Sequence, residues 1–203
     1  AEAARGRFRT ASTLEDAARN ADLVIEAAPE KIELKIELFA KLDRIAPKHA
    51  LLASNTSSMS ITEMAAATER PTQVMGMHFF NPVHRMKLLE VVRALESSDA
   101  AIAAACEVGV RMGKECVVVR ESPGFVTSRI NAMIGNEAFY MLQEGVASAR
   151  DIDKALKLGL NHPMGPFELV DLVGLDTRLS ILKFLHRTLG EKFRPCPLIE
   201  QYV

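Results

Sequence analysis

Hydrophobic positions keep two different rhythms along this chain, and the change between them divides it. Up to Arg120, short apolar runs of strand length alternate with longer stretches of helical period. DLVIEA (22–27) reads as a buried strand, followed by a loop at Pro29-Glu30. Ile32, Ile36, Phe39, Leu42 and Ile45 then recur at spacings of three and four, the mark of an amphipathic helix ending before Pro47. ALLAS (50–54) is the next strand, and Ser60-Ile-Thr-Glu63 has the form of a capping box, which predicts a helix from Ile61 to Glu69. QVMGMHFF (73–80) and LLEVV (88–92) are strands joined by a connection too short for a helix. Ser98 or Asp99 caps a helix of small residues reaching Gly113, and CVVVR (116–120) is the fifth strand. Strands alternating with helices predict a mainly parallel α/β sheet, with the pair 73–80 and 88–92 as its departure.

After Ser122-Pro123-Gly124 the period is helical throughout. Residues 125–142, 151–158, 166–173 and 175–189 read as helices, and no strand is expected beyond residue 120. The fold class is therefore α/β over 1–121 followed by an all-α part over 122–203. Ile130, Ile134, Phe139 and Leu142, with Phe125, Phe167 and Leu172, are candidates for the core of that part or for an interface with a second copy.

Composition narrows the function. Apolar residues make up 48% of the 203 and charged residues 25%, as in ordinary globular proteins. A net charge of −1 gives no electrostatic case for nucleic acid or an acidic membrane. No apolar run is long enough to span a bilayer. Cys106, Cys116 and Cys196 are too few and too scattered for a disulfide framework or a zinc site, and they fit a reducing cytoplasm. Glu168 and Asp171, three apart in an apolar helix, can pair with each other, but no third ligand near them supports a metal. His84-Arg85 reads as a solvated loop and His162-Pro163-Met164-Gly165-Pro166 as a helix–helix turn.

Ligands of open parallel sheets bind beyond the carboxyl ends of the strands, and three polar clusters fall there. They are Ala28-Pro29-Glu30, Ser54-Asn55-Thr56-Ser57-Ser58, and His78 with Asn81-Pro82. Taken singly, the serine run is a turn with a helix cap and His78 a hydrogen-bonded core histidine. Glu90 is harder to set aside. It interrupts an apolar strand, where an unpaired carboxylate costs several kcal/mol, and the neighbouring strand offers His78 as its partner. A carboxylate beside an imidazole fixes its tautomer and stabilises the imidazolium. Such a dyad serves as a general base or as a structural pair, and the pattern leaves both open.

SNTSSMSIT, MHFFNPVHRMKLLEVV, SPGFVTSRI and DIDKALKLGLNHPMGPFELVDLVGLD together resemble the L-3-hydroxyacyl-CoA dehydrogenase family, in particular its 3-hydroxybutyryl-CoA branch. The resemblance implies a Rossmann-like domain and a helical domain that forms a homodimer. It implies oxidation of the 3-hydroxyl of an acyl-CoA, a step of fatty acid β-oxidation, with NAD as cofactor. It assigns His78 as catalytic base, Glu90 as its orienting acid and Ser57 as the contact to substrate and nicotinamide. Asn81 then lies near the nicotinamide, and Glu30 and Lys35 along the NAD path. Ser128 stands where the family usually has a substrate-binding Asn, with Asn131 one turn further on. No G-x-G-x-x-G occurs in the chain. By the resemblance the chain begins inside the family's first domain and stops before its Gly-rich end, which implies weakened cofactor binding. A dehydrogenase of another hydroxy acid and an inactive dimerising fragment stay open beside the leading reading.

Overall fold

In the computed structural model, which describes residues 6–203, the chain forms two compact units, the first ending at Ser122 and the second running Pro123–Val203. The first opens with a short helix, α1 (Leu14–Ala18), started by the Thr13 side chain, which accepts from the Asp16 N–H. The predicted elements follow as β1 (Leu23–Glu26), α2 (Ile32–Ile45), β2 (Leu51–Ser54), α3 (Ile61–Ala66), β3 (Val74–Phe79), β4 (Leu88–Arg93), α4 (Asp99–Arg111) and β5 (Glu115–Arg120). The sheet runs β1-β2-β3-β4-β5. Among the described residues only β3–β4 is antiparallel; the other neighbours are parallel. Parallel neighbours need crossover helices, which α2, α3 and α4 supply, whereas the short 80–87 connection forces a reversal.

The core of this unit packs Met75, Met77, Leu89 and Val91 of the sheet against Ala101, Ile102 and Ala105 of α4. The small residues of α4 allow a close approach. A Cβ at Gly109 would lie 2.5 Å from the Cys116 sulfur and 2.7 Å from Leu89 Cδ2.

α3 ends at Ala66 rather than Glu69, because the Glu69 N–H is taken by Asp43 Oδ2 at 3.1 Å instead of a helical carbonyl. Asp43 lies on the buried face of α2 and also accepts from Arg70 Nε at 2.6 Å. The Arg70 guanidinium donates further to the carbonyls of Asp43, Ala46 and Pro47, so it caps the end of α2. Burial pushes the Asp43 carboxyl upward, but the Glu69 N–H and Arg70 outweigh it and hold the group below its ordinary 3.8.

The second unit contains α5 (Thr127–Gln143), α6 (Ala149–Gly159), α7 (Pro166–Val173), α8 (Leu175–Leu189) and α9 (Pro197–Tyr202), with no strand among the described residues. The last helix and a 3-10 turn at Glu191–Phe193 were not foreseen, because Phe193, Cys196 and Ile199 are too sparse to show a period. Those three residues complete a core with Ala132, Phe139, Val170, Leu179, Leu182 and Leu185. Asn136 fastens the terminal segment, giving its amide N–H to the Arg194 carbonyl and accepting from the Cys196 N–H, both at 2.8 Å. Asp153 accepts from the Phe167 and Glu168 N–H groups and caps α7 from outside. Glu168 pairs with Lys157, not with Asp171 as the spacing suggested. That bond and one from the Gly165 N–H hold its carboxyl below the usual range. Among the described residues no helix is long and apolar enough to cross a membrane.

Arg178 is an anomaly. It is buried on α8 beside Gly135, its Nε finds no hydrogen-bond partner among the described residues, and burial depresses its pKa.

Two stability measurements follow. Asp43→Asn should cost about 2–3 kcal/mol in denaturant unfolding at neutral pH, the value of a hydrogen bond to a charged group. Because the folded carboxyl is depressed, its stabilisation is present above pH 3.8 and lost as pH falls through the lower folded value. The variant should therefore show a shallower acid unfolding below that pH. Arg178→Met keeps the packed stem and removes an unpaired buried nitrogen, so its thermal midpoint should rise.

Candidate active site at the sheet rim

His78 and Glu90 are direct partners in the antiparallel register. Their side chains therefore leave the sheet on the same face, and His78 Nδ1 lies 2.7 Å from Glu90 Oε2. Both are buried, at 4% and 1% exposure. An ionised carboxylate only accepts, so Nδ1 carries the proton, and the neutral ring then holds its lone pair on Nε2. Phe80 tilts against the imidazole with ring centroids 4.5 Å apart. The Phe79 N–H donates to Asn55 Oδ1 at 2.8 Å, which ties the serine-rich loop to the strand end carrying His78. Sequence reasoning placed Asn55 in a polar cluster without giving it this function.

The other rim residues form one network with Glu26, Lys35 and Ser54 buried at its centre. Glu26 ends β1 opposite Ser54 of β2. Its Oε2 accepts from Ser54 Oγ at 2.6 Å, and its Oε1 accepts from the Ala28 N–H and from Lys35 Nζ, the latter at 2.7 Å. Lys35 is only 1% exposed. It also donates to the Ala28 carbonyl at 3.0 Å and lies 3.3 Å from Glu30 Oε2. Glu30 Oε1 accepts from the Thr56 hydroxyl and from the Ser57 N–H, the latter at 3.0 Å. The loops after β1 and β2 are thus sewn together by a lysine between two carboxylates. Glu26 was missed because it reads as the polar end of a short strand.

The remaining candidates are placed as follows. Ser57 is half-buried on this rim, and Asn81 is exposed just after β3, joined to Pro82 by a cis peptide bond. Ser128 lies half-buried in the first turn of α5, in the helical unit, and Asn131 is exposed on the same helix. His84, Arg85 and Lys87 are exposed in the β3–β4 connection. No group of three or more His, Cys, Asp or Glu side chains able to hold a metal occurs among the described residues.

The rim suits a dinucleotide's reacting end. It lies at the carboxyl ends of β1, β2 and β3, with backbone N–H groups, hydroxyls and an amide gathered beside a histidine.

Comparison with known proteins agrees. Residues 1–122 match the family model described as 3-hydroxyacyl-CoA dehydrogenase, NAD binding domain, and residues 124–203 the model for its C-terminal domain. A probable 3-hydroxybutyryl-CoA dehydrogenase of Bacillus subtilis is 52% identical over 97% of this chain and 69% of its own length. The 3-hydroxybutyryl-CoA dehydrogenase of Bradyrhizobium diazoefficiens is 47% identical over 98% of this chain and 68% of its own. The crystal structure of (S)-3-hydroxybutyryl-CoA dehydrogenase from Ralstonia eutropha superposes with a TM-score of 0.94 at 42% identity, covering 98% of this chain and 71% of that one. With both halves matched and the buried histidine–glutamate pair in register at the sheet rim, the chain belongs to the 3-hydroxyacyl-CoA dehydrogenase family.

Proposed function

We propose that this chain carries out the NAD-dependent oxidation of L-3-hydroxyacyl-CoA to 3-ketoacyl-CoA, with His78 as general base oriented by Glu90. The observation that carries the assignment of roles is the 2.7 Å contact between two buried side chains on paired strands. Oxidising the alcohol removes a proton from oxygen and a hydride from carbon. His78 takes the proton, and Glu90 stabilises the imidazolium that results. NAD, when bound, supplies the hydride acceptor. Ser57 holds the substrate oxygen in line with the base, and Glu30 and Asn81 border the nicotinamide end, with Lys35 behind Glu30.

The α/β unit then serves as the NAD-binding domain and the helical unit as the substrate and dimerisation domain. A short acyl chain, as in 3-hydroxybutyryl-CoA, is the substrate suggested by the relatives' names. Homodimerisation is supported by a groove of about 700 Å³ in the helical unit, lined by Met133, Tyr140, Met141 and Leu160 among others. Ile130 on α5 and Leu172 on α7 are more than half exposed as well. Three free cysteines suit a cytoplasmic setting.

Turnover is read from the near-ultraviolet absorbance of reduced cofactor with 3-hydroxybutyryl-CoA and with longer acyl chains. In the active enzyme His78→Gln should lower kcat by about 10²–10⁴-fold, the range for a general base. Glu90→Gln should lower kcat less and leave substrate KM nearly unchanged. Near-normal turnover of the His78 variant would remove that residue from the role. Sedimentation at micromolar concentration should show a dimer, and a monomer there would remove the proposed interface without touching the chemistry.

A further inference from the structure

Lys35 lies on the nicotinamide path by family resemblance, yet its surroundings give it different work. An ammonium has three N–H donors. Three acceptors stand around this one: Glu26 Oε1 at 2.7 Å, the Ala28 carbonyl at 3.0 Å and Glu30 Oε2 at 3.3 Å. Two of its donors make hydrogen bonds inside the protein, to Glu26 and the Ala28 carbonyl, the contact to Glu30 is an ion pair, and the side chain is 1% exposed.

What it does hold is Glu30. That side chain is 42% exposed, and an exposed carboxylate on a loop would ordinarily sample several rotamers. Here one oxygen forms an ion pair with Lys35 while the other accepts from the Ser57 N–H and the Thr56 hydroxyl. Lys35 is in turn anchored by Glu26, which is 6% exposed and is itself held by Ser54 and the Ala28 N–H. A continuous chain of contacts therefore joins the end of β1, through a buried cation, to the backbone of the serine loop.

We propose that Glu26 and Lys35 are positioning residues that set the place of Ser57 through Glu30. The pair is buried, so removing Lys35 leaves Glu26 uncompensated and removing Glu26 leaves Lys35 only its longer contact to Glu30, and the two should act as a unit. This inference rests on the reading of Ser57 as the residue that aligns the substrate oxygen. Its structural half is testable without any turnover.

The experiment is amide hydrogen exchange on the chain as it stands, with Glu26→Gln, Lys35→Met and Glu30→Gln. Each variant should speed exchange at Ser57 by roughly 10–100-fold, the loss of one hydrogen bond to a charged acceptor. Leu52 and Val91 in the sheet should keep their protection. Unchanged exchange at Ser57 in Lys35→Met or Glu26→Gln would overturn the proposal, as would equal loss of protection at Ser57, Leu52 and Val91. Should the buried variants not fold, Glu30→Gln at the exposed carboxylate isolates the last link, and unchanged Ser57 exchange there overturns it too. In the active enzyme, Lys35→Met and Glu26→Gln should lower kcat alike, and the double variant should be no worse than either single one. A rise in KM for NAD with kcat intact and Ser57 exchange unchanged is the signature of a direct cofactor contact and would refute positioning. Should the dehydrogenase reading itself fail, the exchange result would stand while the kinetics fell silent.

Discussion

A carboxylate withdrawn from water has to be given a partner, and the α/β unit is arranged around three places where this happens. Glu26 meets Lys35, Asp43 meets Arg70 and Glu90 meets His78, each within 2.7 Å and each nearly closed to solvent. A charge pair of this kind is poor evidence of net stability, since well-packed aliphatic groups would often do as well. What it enforces is position. Asp43 and Arg70 finish α2 and end α3; Glu26 and Lys35 shape the rim; Glu90 fixes the ring that stands at it. Each loop between them therefore has little freedom about where it can go.

The single antiparallel neighbour is the topological condition for the dyad. In a parallel pair, residues at the same level of the sheet are separated by a whole crossover. Reversing direction after Phe79 brings the chain back alongside itself, so a residue twelve positions on faces His78 across the ladder. The β3–β4 reversal is a break in the α/β rhythm, and the histidine–glutamate pair sits on it.

Much of this was legible in the amino-acid order, and the remainder was hidden for identifiable reasons. Glu90 announced itself because an acid inside LLEVV violates the strand's pattern, and the partner strand carried one candidate. Lys35 and Asp43 gave the same kind of signal more quietly. Both fall on the stripe of Ile32, Phe39 and Leu42, where α2 is buried, so a charged residue there demanded a partner as surely as Glu90 did. Their partners, Glu26 and Arg70, could not be read off. Glu26 looks like the polar end of a strand, and Arg70 stands outside any periodic element. The helix after Ser60 was overextended because local propensity knows nothing of an aspartate arriving from α2 to take the Glu69 N–H. Glu168 was matched to Asp171 by spacing along one helix, whereas its cation, Lys157, comes from another.

The separations along the chain give the two parts of the site different origins. His78 and Glu90 are 12 residues apart. Ser57 and Glu30 are 27 apart, and Ser54 and Glu26 are 28 apart, each pair separated by a full helix. Closing the longer loops costs only about 0.7 kcal/mol more, so equilibrium hardly distinguishes them. Folding kinetics does, because contacts close in sequence can be sampled before distant ones are brought together. The histidine–glutamate pair is a property of one hairpin, whereas the network that holds Ser57 is a long-range product of a crossover and is expected to assemble later.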